Sequence, residues 1–319
     1  MATPKPPCKP KKIALKAKSL CVEQSTVSAE LSADAGQRAA KSKKIATKPK
    51  KQPADVDRNF DDLAHRFKRN VYDRLKGDIR LAILERDLSE FIPEASWAVE
   101  ADGVAAQPMK ILDAGGGQGQ FSISLARQGH EVVLCDISAE MLKLAQQNCL
   151  EAGVADRVHL HHGPIQSLPA SYREQFDLVL CHAVLEWVVK PQELLQTLLA
   201  FSAPQGYFSL TFYNVNSIMM KNLLRTNFQK VIDDDYKGYR GSLTPTYPRE
   251  PEAVYQWLAE LPLEPLCCSG IRCFHDYILE PKHRMNEPQQ QLSLELRLSR
   301  QEPWRSLGRY IHVLSQKIA

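Results

Sequence analysis

The sequence predicts an α/β fold, a doubly wound and mostly parallel sheet, on three observations. Short apolar runs alternate with helix-length segments between Lys110 and Phe212. A glycine-rich turn, Gly115 to Gly119, follows the first run. The first two runs each end in an acid, Asp113 and Asp136. Strands alternating with helices form parallel sheets covered on both faces. Right-handed crossovers then bring the strand C-termini to one edge, where ligands bind.

The elements follow in order. Residues 1–54 are rich in Lys, Ala, Pro and Ser without apolar periodicity and read as a disordered tail. Nearly all basic residues there are Lys, and Pro4, Pro6, Pro7 and Pro10 oppose the amphipathic helix of a mitochondrial transit peptide. The folded part, 55–319, opens with helices over 57–92. Phe60, Leu63, Ala64, Phe67 and Val71 recur at helical steps, and Ile79, Ile83, Leu84 and Leu88 line one face of Lys76–Phe91. Pro93–Pro108 reads as a loop.

The cofactor-binding core, 108–213, carries strands at Lys110–Asp113, Glu131–Asp136, Val158–His162, Phe176–Cys181 and Gly206–Phe212. Helices are predicted at Phe121–Gln128, Ala139–Ala152 and Pro191–Phe201. Residues 214–250 break the rhythm and read as an inserted cap over the substrate side. The C-terminal part, 251–319, offers a helix at Pro251–Leu261 and final strands at Ile271–Asp276 and Arg309–Leu314.

Of 319 residues, 44% are hydrophobic and 24% charged, which is ordinary globular composition. No apolar run approaches the roughly 20 residues that span a bilayer. No secretory signal opens the sequence, so a cytoplasmic protein off the membrane is expected. Eight cysteines without a CxxC pair exclude a disulfide scaffold and argue against a zinc site. Cys135 and Cys181 sit in apolar runs and read as buried free thiols. His159, His161 and His162 read as strand-edge residues, and no metal is expected.

The net charge of +4 hides an asymmetry. Residues 1–53 hold 13 Lys+Arg against 3 acids, so the tail is strongly basic and the remainder mildly acidic. A basic tail on an acidic body is a nucleic-acid signal, and the tail is expected to add non-specific RNA affinity.

The glycine loop lets a ligand approach the backbone and leads into a helix N-terminus with unpaired N–H groups. Dinucleotide enzymes use such a loop too. Asp113, directly before it, repels a pyrophosphate and tolerates a cation, which favours S-adenosylmethionine over NAD. Asp136, 21 residues after Gly115, stands where an acid accepts hydrogen bonds from a ribose diol. Gly163–Gln166 follows the third strand and is placed to frame an adenine. His182 ends the fourth strand on the same edge and is a further site candidate. Glu186 and Trp187 read as helix-packing and capping residues.

Several blocks together resemble the bacterial tRNA 5-carboxymethoxyuridine methyltransferase family, a class I S-adenosylmethionine-dependent family. They are Asp57–Asp62, Leu112–Gly117, His182–Trp187, Phe212–Asn214, Tyr247–Arg249, Phe274–Tyr277, Arg300–Pro303 and Gly308–His312. The similarity runs from about Asp57 to about Val313. The glycine loop is generic to methyltransferases, whereas the outlying blocks are specific.

The resemblance implies methylation of the 5-carboxymethoxyuridine carboxylate at the wobble position of a tRNA anticodon stem-loop. It implies cofactor contacts at Arg80, Gly115, Gly116, Asp136, Ile165, Gln166 and His182. Two departures stand out. The tail has no counterpart in the family, and Asp233–Gly238 is more acidic than the Lys-rich stretch expected there.

A carboxylate acceptor needs a residue to hold its second oxygen. The candidates are Tyr213, Arg249, Arg272, His275 and Arg309. Tyr213, Tyr247 and Tyr277 are candidate platforms for a splayed base. Two other readings stay open: a methyltransferase of a small carboxylate or other metabolite, and a non-catalytic RNA-binding protein that keeps the fold.

Overall fold

In a computed structural model of the chain, the predicted alternation closes into one seven-stranded sheet. The structure describes residues 57–61, 74–92, 108–236, 238 and 243–318. Contacts divide the chain at residues 47 and 48, and every described residue belongs to the second unit. The tail reading, Leu63, Ala64, Phe67 and Val71 of the first predicted helix, and loop residues 93–107 lie outside the described residues. Among the described residues no helix is long and apolar enough to cross a membrane.

The strands are β1 (Lys110–Ala114), β2 (Glu131–Asp136), β3 (Val158–His162), β4 (Phe176–His182), β5 (Ser202–Tyr213), β6 (Leu263–Ile271) and β7 (Tyr310–Lys317). Their order is β3-β2-β1-β4-β5-β7-β6. The first five run parallel, and β7 is antiparallel to both β5 and β6. The order reverses between β1 and β4, the switch point where open sheets bind ligands. His159 and His162 are exposed on β3, an edge strand as predicted.

Helices α1 (Arg74–Phe91), α2 (Gln120–Arg127), α3 (Ala139–Ala152) and α4 (Pro191–Leu199) match the predicted helices closely. Ile79, Ile83, Leu84 and Leu88 of α1 are all buried. Together with Leu125 of α2 and Ile111, Leu134 and Leu178 of the strands they form the core on one face of the sheet. Leu194, Leu195 and Leu198 of α4 pack with Val179, Phe208, Phe212 and Val313 on the other. Ser138 caps α3, its Oγ accepting from Met141 N at 3.1 Å. Gly153, at φ 70°, ends that helix in a left-handed turn that glycine tolerates. Cys135 and Cys181 are buried free thiols, as expected.

Four helices were not read from the sequence. Residues 214–250 hold two helices, α5 (Val215–Leu224) and α6 (Phe228–Ile232). The helix after them, α7 (Pro251–Ala259), was expected, but α8 (Pro288–Leu298) and the short α9 (Trp304–Leu307) were not. The buried face of α8 is polar at Gln291 and Glu295, so it leaves weak apolar periodicity to read. Glu295 accepts from the backbone N–H groups of Cys273, Phe274 and His275 at 2.6, 3.1 and 2.9 Å.

The strand predicted at Ile271–Asp276 is a correction. The strand β6 ends at Ile271, and His275–Tyr277 is a 3-10 turn. Pro265 hid the true strand. It is tolerated because β6 is the outer edge and its register shifts between Pro265 and Cys267.

Candidate active site

The switch point opens into a cleft of about 570 Å³. Its floor is the loop after β1. Gly115 has φ 74°, and a Cβ there would sit 2.5 Å from Val184 Cγ2. Gly116 covers Asp113, where a Cβ would meet Oδ2 and Leu134 Cγ at 2.7 Å. Both glycines are therefore required by close approach rather than by the turn alone. Asp113 is buried and accepts from Ser122 Oγ at 2.6 Å. Burial, aided by the nearby charge of Asp136, pushes its carboxyl up to about 6.

Asp136 ends β2 facing the same cleft. Its Oδ2 accepts from Gly117 N at 2.9 Å and its Oδ1 from Ser138 N at 2.8 Å. Burial raises its pKa, and these two bonds oppose the rise. One lone pair of each oxygen remains for a diol. Ile165 and Gln166 lie in a 3-10 turn after β3 and line the cleft, as does Gly163. His182 lines it from the end of β4, with Phe121 5.4 Å away between ring centroids. Arg80 projects in from α1 and stacks on Tyr310, its guanidinium 5.3 Å from the ring centre. The cleft thus gathers all eight residues predicted for the cofactor: Arg80, Asp113, Gly115, Gly116, Asp136, Ile165, Gln166 and His182.

Two groups of lining residues were not read from the sequence. Glu186, taken there as a capping or packing residue, is 1% exposed and lines the cleft. Its Oε2 is buried without a hydrogen-bond partner, and burial pushes the carboxyl up to about 7. Only its place after a cleft strand hinted at this.

The second group is Asp57, Arg58 and Phe60, in a segment that bridges both walls. Asp57 Oδ1 accepts from Val189 N at 2.8 Å, and Arg58 N donates to Trp187 O at 3.1 Å. On the opposite wall, Asp61 Oδ1 accepts from Ser138 Oγ at 2.7 Å. Phe60 meets Trp187 edge to face at 4.8 Å. Leu243 also lines the cleft.

Of the five carboxylate-positioning candidates, three come together. Arg272 Nη2 lies 3.2 Å from Asp276 Oδ2, and Arg309 Nε lies 3.7 Å from the same oxygen. Arg309 stacks on Tyr213 at 4.7 Å, Arg272 on Tyr310 at 5.6 Å, and the two tyrosine rings meet at 5.1 Å. Arg272 has φ 59°, an uncommon conformation for a residue with a Cβ. The Nε atoms of both arginines are buried without a hydrogen-bond partner. Lys221 of α5 is close enough that burial and Arg309 push it down to about 8. Their charges hold Asp276 well below the usual carboxylate range. One carboxylate thus faces three cations. Tyr310 joins this cluster to the cleft, since it also stacks on Arg80.

The other two candidates are turned to the frame. Arg249 donates to Leu185 O at 2.9 and 2.6 Å and to Val188 O at 2.7 Å. His275 is buried, its Nδ1 2.9 Å from Gln291 Oε1. Tyr277 donates to Leu307 O at 2.7 Å.

A family described as "Methyltransferase domain" matches residues 106–260. The PH0226 protein from Pyrococcus horikoshii OT3 superposes with a TM-score of 0.52 at 14% identity, covering 80% of this chain and 99% of that one, which shows a shared fold. An ubiquinone biosynthesis O-methyltransferase of Psychrobacter cryohalolentis is 35% identical over 139 residues, 43% of this chain and 53% of that one. Fold, loop and match define a methyltransferase. A tRNA 5-carboxymethoxyuridine methyltransferase of Escherichia coli K12 is 42% identical over 261 residues, 82% of this chain and 97% of that one. The chain belongs to the tRNA 5-carboxymethoxyuridine methyltransferase family.

Proposed function

We propose that this protein transfers a methyl group from S-adenosylmethionine to the carboxylate of 5-carboxymethoxyuridine at the wobble position of a tRNA anticodon stem-loop. The product is the methyl ester, 5-methoxycarbonylmethoxyuridine. The observation that carries the substrate side is the cluster of Arg272, Arg309 and Lys221 around the single carboxylate of Asp276, joined to the cleft by Tyr310. A cluster with surplus positive charge is suited to an incoming anion.

The cleft suits the cofactor by its charge. Asp57, Asp113, Asp136, Glu186 and Glu193 give it carboxyl groups and Arg58, Arg80 and Lys190 give it cations, so acids outnumber bases. A ligand with a sulfonium, an ammonium and a carboxylate matches that set, whereas a pyrophosphate does not. In this reading Asp136 takes the ribose diol, Ile165 and Gln166 the adenine, and Arg80 the amino-acid carboxylate. Gly115 and Gly116 let the ligand lie on the backbone, while Asp113 and His182 complete the wall. When bound, S-adenosylmethionine supplies an electrophilic methyl group.

The residues themselves act by positioning. A carboxylate is ionised at neutral pH, so no general base is needed. Arg272 and Arg309 hold one carboxylate oxygen and leave the other to attack. Tyr213 and Tyr310 pack around the acceptor and exclude water. The basic tail adds salt-dependent RNA attraction, which a chain beginning at Val56 would lose. The wobble nucleoside in a deletion strain tests the proposal: mass spectrometry should find the free acid accumulated and the methyl ester lost. An unchanged ester level refutes it.

A further inference from the structure

Behind the cleft a file of hydrogen bonds crosses the sheet. His182 Nε2 lies 2.8 Å from Ser209 Oγ. Ser209 Oγ lies 2.9 Å from His312 Nε2, and His312 Nδ1 lies 2.8 Å from Asp87 Oδ2 on α1. Ser209, His312 and Asp87 are each 0% exposed. The register of β4, β5 and β7 builds the file. His182 is opposite Thr211, Thr211 is opposite His312, and Ser209 shares their face two residues away. Packing does not demand these residues, since apolar side chains fill such a site at no loss of stability.

The file has a direction. Asp87 Oδ1 accepts from Arg86 Nη2 at 2.7 Å and Arg300 Nη2 at 2.6 Å, and Arg300 Nη1 also reaches Glu90 at 2.7 Å. Asp87 is therefore an ionised acceptor, so His312 Nδ1 carries a proton. In the neutral ring that donates Nδ1–H to Asp87, Nε2 is the acceptor, and Ser209 donates to it. Ser209 Oγ in turn accepts from His182 Nε2–H. The remaining nitrogen of His182, Nδ1, keeps its lone pair. It makes no hydrogen bond among the described residues and belongs to a ring that lines the cleft. Burial and the charge of Arg80 keep this imidazole neutral, well below its usual pKa.

We propose that Asp87, His312 and Ser209 are positioning residues that lock His182 in the Nε2–H tautomer, so that Nδ1 accepts a hydrogen bond from the ammonium of the cofactor's amino-acid end. The inference rests on the reading that the cleft takes S-adenosylmethionine. It separates two jobs at one end of the ligand: Arg80 meets the carboxylate and His182 meets the ammonium. It also gives the sheet's far side, from α1 to β7, a part in cofactor selection.

Calorimetry with S-adenosylhomocysteine and with 5′-methylthioadenosine, which lacks the amino-acid end, tests this on the full chain and on Ser209→Ala. Loss of one hydrogen bond to a charged group predicts about tenfold weaker binding of S-adenosylhomocysteine by the variant. Binding of 5′-methylthioadenosine should not change. Ser209→Thr, which keeps the hydroxyl, should restore affinity. Long-range proton–nitrogen NMR of the unaltered protein should show His182 with Nδ1 unprotonated, a readout independent of any variant's folding. Equal weakening of both ligands, unchanged affinity for S-adenosylhomocysteine, or a protonated Nδ1 overturns the inference while leaving the cofactor reading intact. If the unaltered protein binds neither nucleoside, both fall together.

Discussion

Raising the pH should strengthen cofactor binding, and Glu186 is the main reason. Its carboxyl is buried, has an unpartnered Oε2, and is pushed up to about 7 by burial. At pH 6 it is mostly protonated in the free protein. A sulfonium or ammonium beside it favours the ionised form, so binding releases a proton. If only ionised Glu186 accepts the ligand, the affinity gain from pH 6 to pH 7.5 is about eightfold. Asp113, pushed up to about 6, adds about twofold over the same interval. Calorimetry with S-adenosylhomocysteine across that range reads both. Glu186→Gln should flatten the profile to the smaller factor and abolish most of the proton release. A wild-type profile that is flat, or that falls with pH, excludes ionised Glu186 as the ligand's partner. The stability of the free protein moves the opposite way. A raised carboxyl stabilises fully below its unfolded pKa and loses that contribution as pH rises through the folded value. For Glu186 the loss spans about pH 4.5 to 7 and is of the order of 3 kcal/mol.

Three further expectations follow from the site. Asp136→Ala removes the carboxylate that Gly117 and Ser138 hold in place, and calorimetry should find cofactor binding lost; near-normal binding contradicts its ribose role. Arg272→Ala or Arg309→Ala should lower turnover at least tenfold while sparing S-adenosylhomocysteine affinity, because both lie beyond Tyr310; retained turnover in both variants moves the carboxylate clamp elsewhere. Gly116→Ala drives a Cβ to 2.7 Å from the buried Asp113 carboxylate, and thermal melting should show a loss of about 1–3 kcal/mol.

The parallel half of the fold was legible in the sequence because its signals are local. Apolar strands, capped helices and a glycine loop each declare themselves within a few residues. The acids Asp113 and Asp136 reach the cleft for the same reason, since each ends a strand on the switch-point edge. The antiparallel half was harder. Pro265 disguised β6, and Pro204 hid the first residues of β5, where irregular registers tolerate them. The helix α8 buries Gln291 and Glu295, which no hydrophobic period reveals.

Site residues divide the same way. Tyr213, Arg272 and Arg309 meet through β5, the turn after β6 and the start of β7, a closure that only tertiary structure supplies. Arg249 looked equivalent in sequence, yet the free carbonyls of Leu185 and Val188 claim it. Glu186 reads as a packing residue in sequence because its place just after a cleft strand is its one local mark.

Methyl transfer to a wobble carboxylate can be read in a reconstituted reaction. Purified protein, isotopically labelled S-adenosylmethionine and tRNA carrying 5-carboxymethoxyuridine should yield a labelled wobble nucleoside. Its mass should rise by one methyl group, and mild alkali should release the label, as an ester requires. The same tRNA without the carboxyl group should take up none. Label incorporated equally into both tRNAs, or into neither, excludes that reaction.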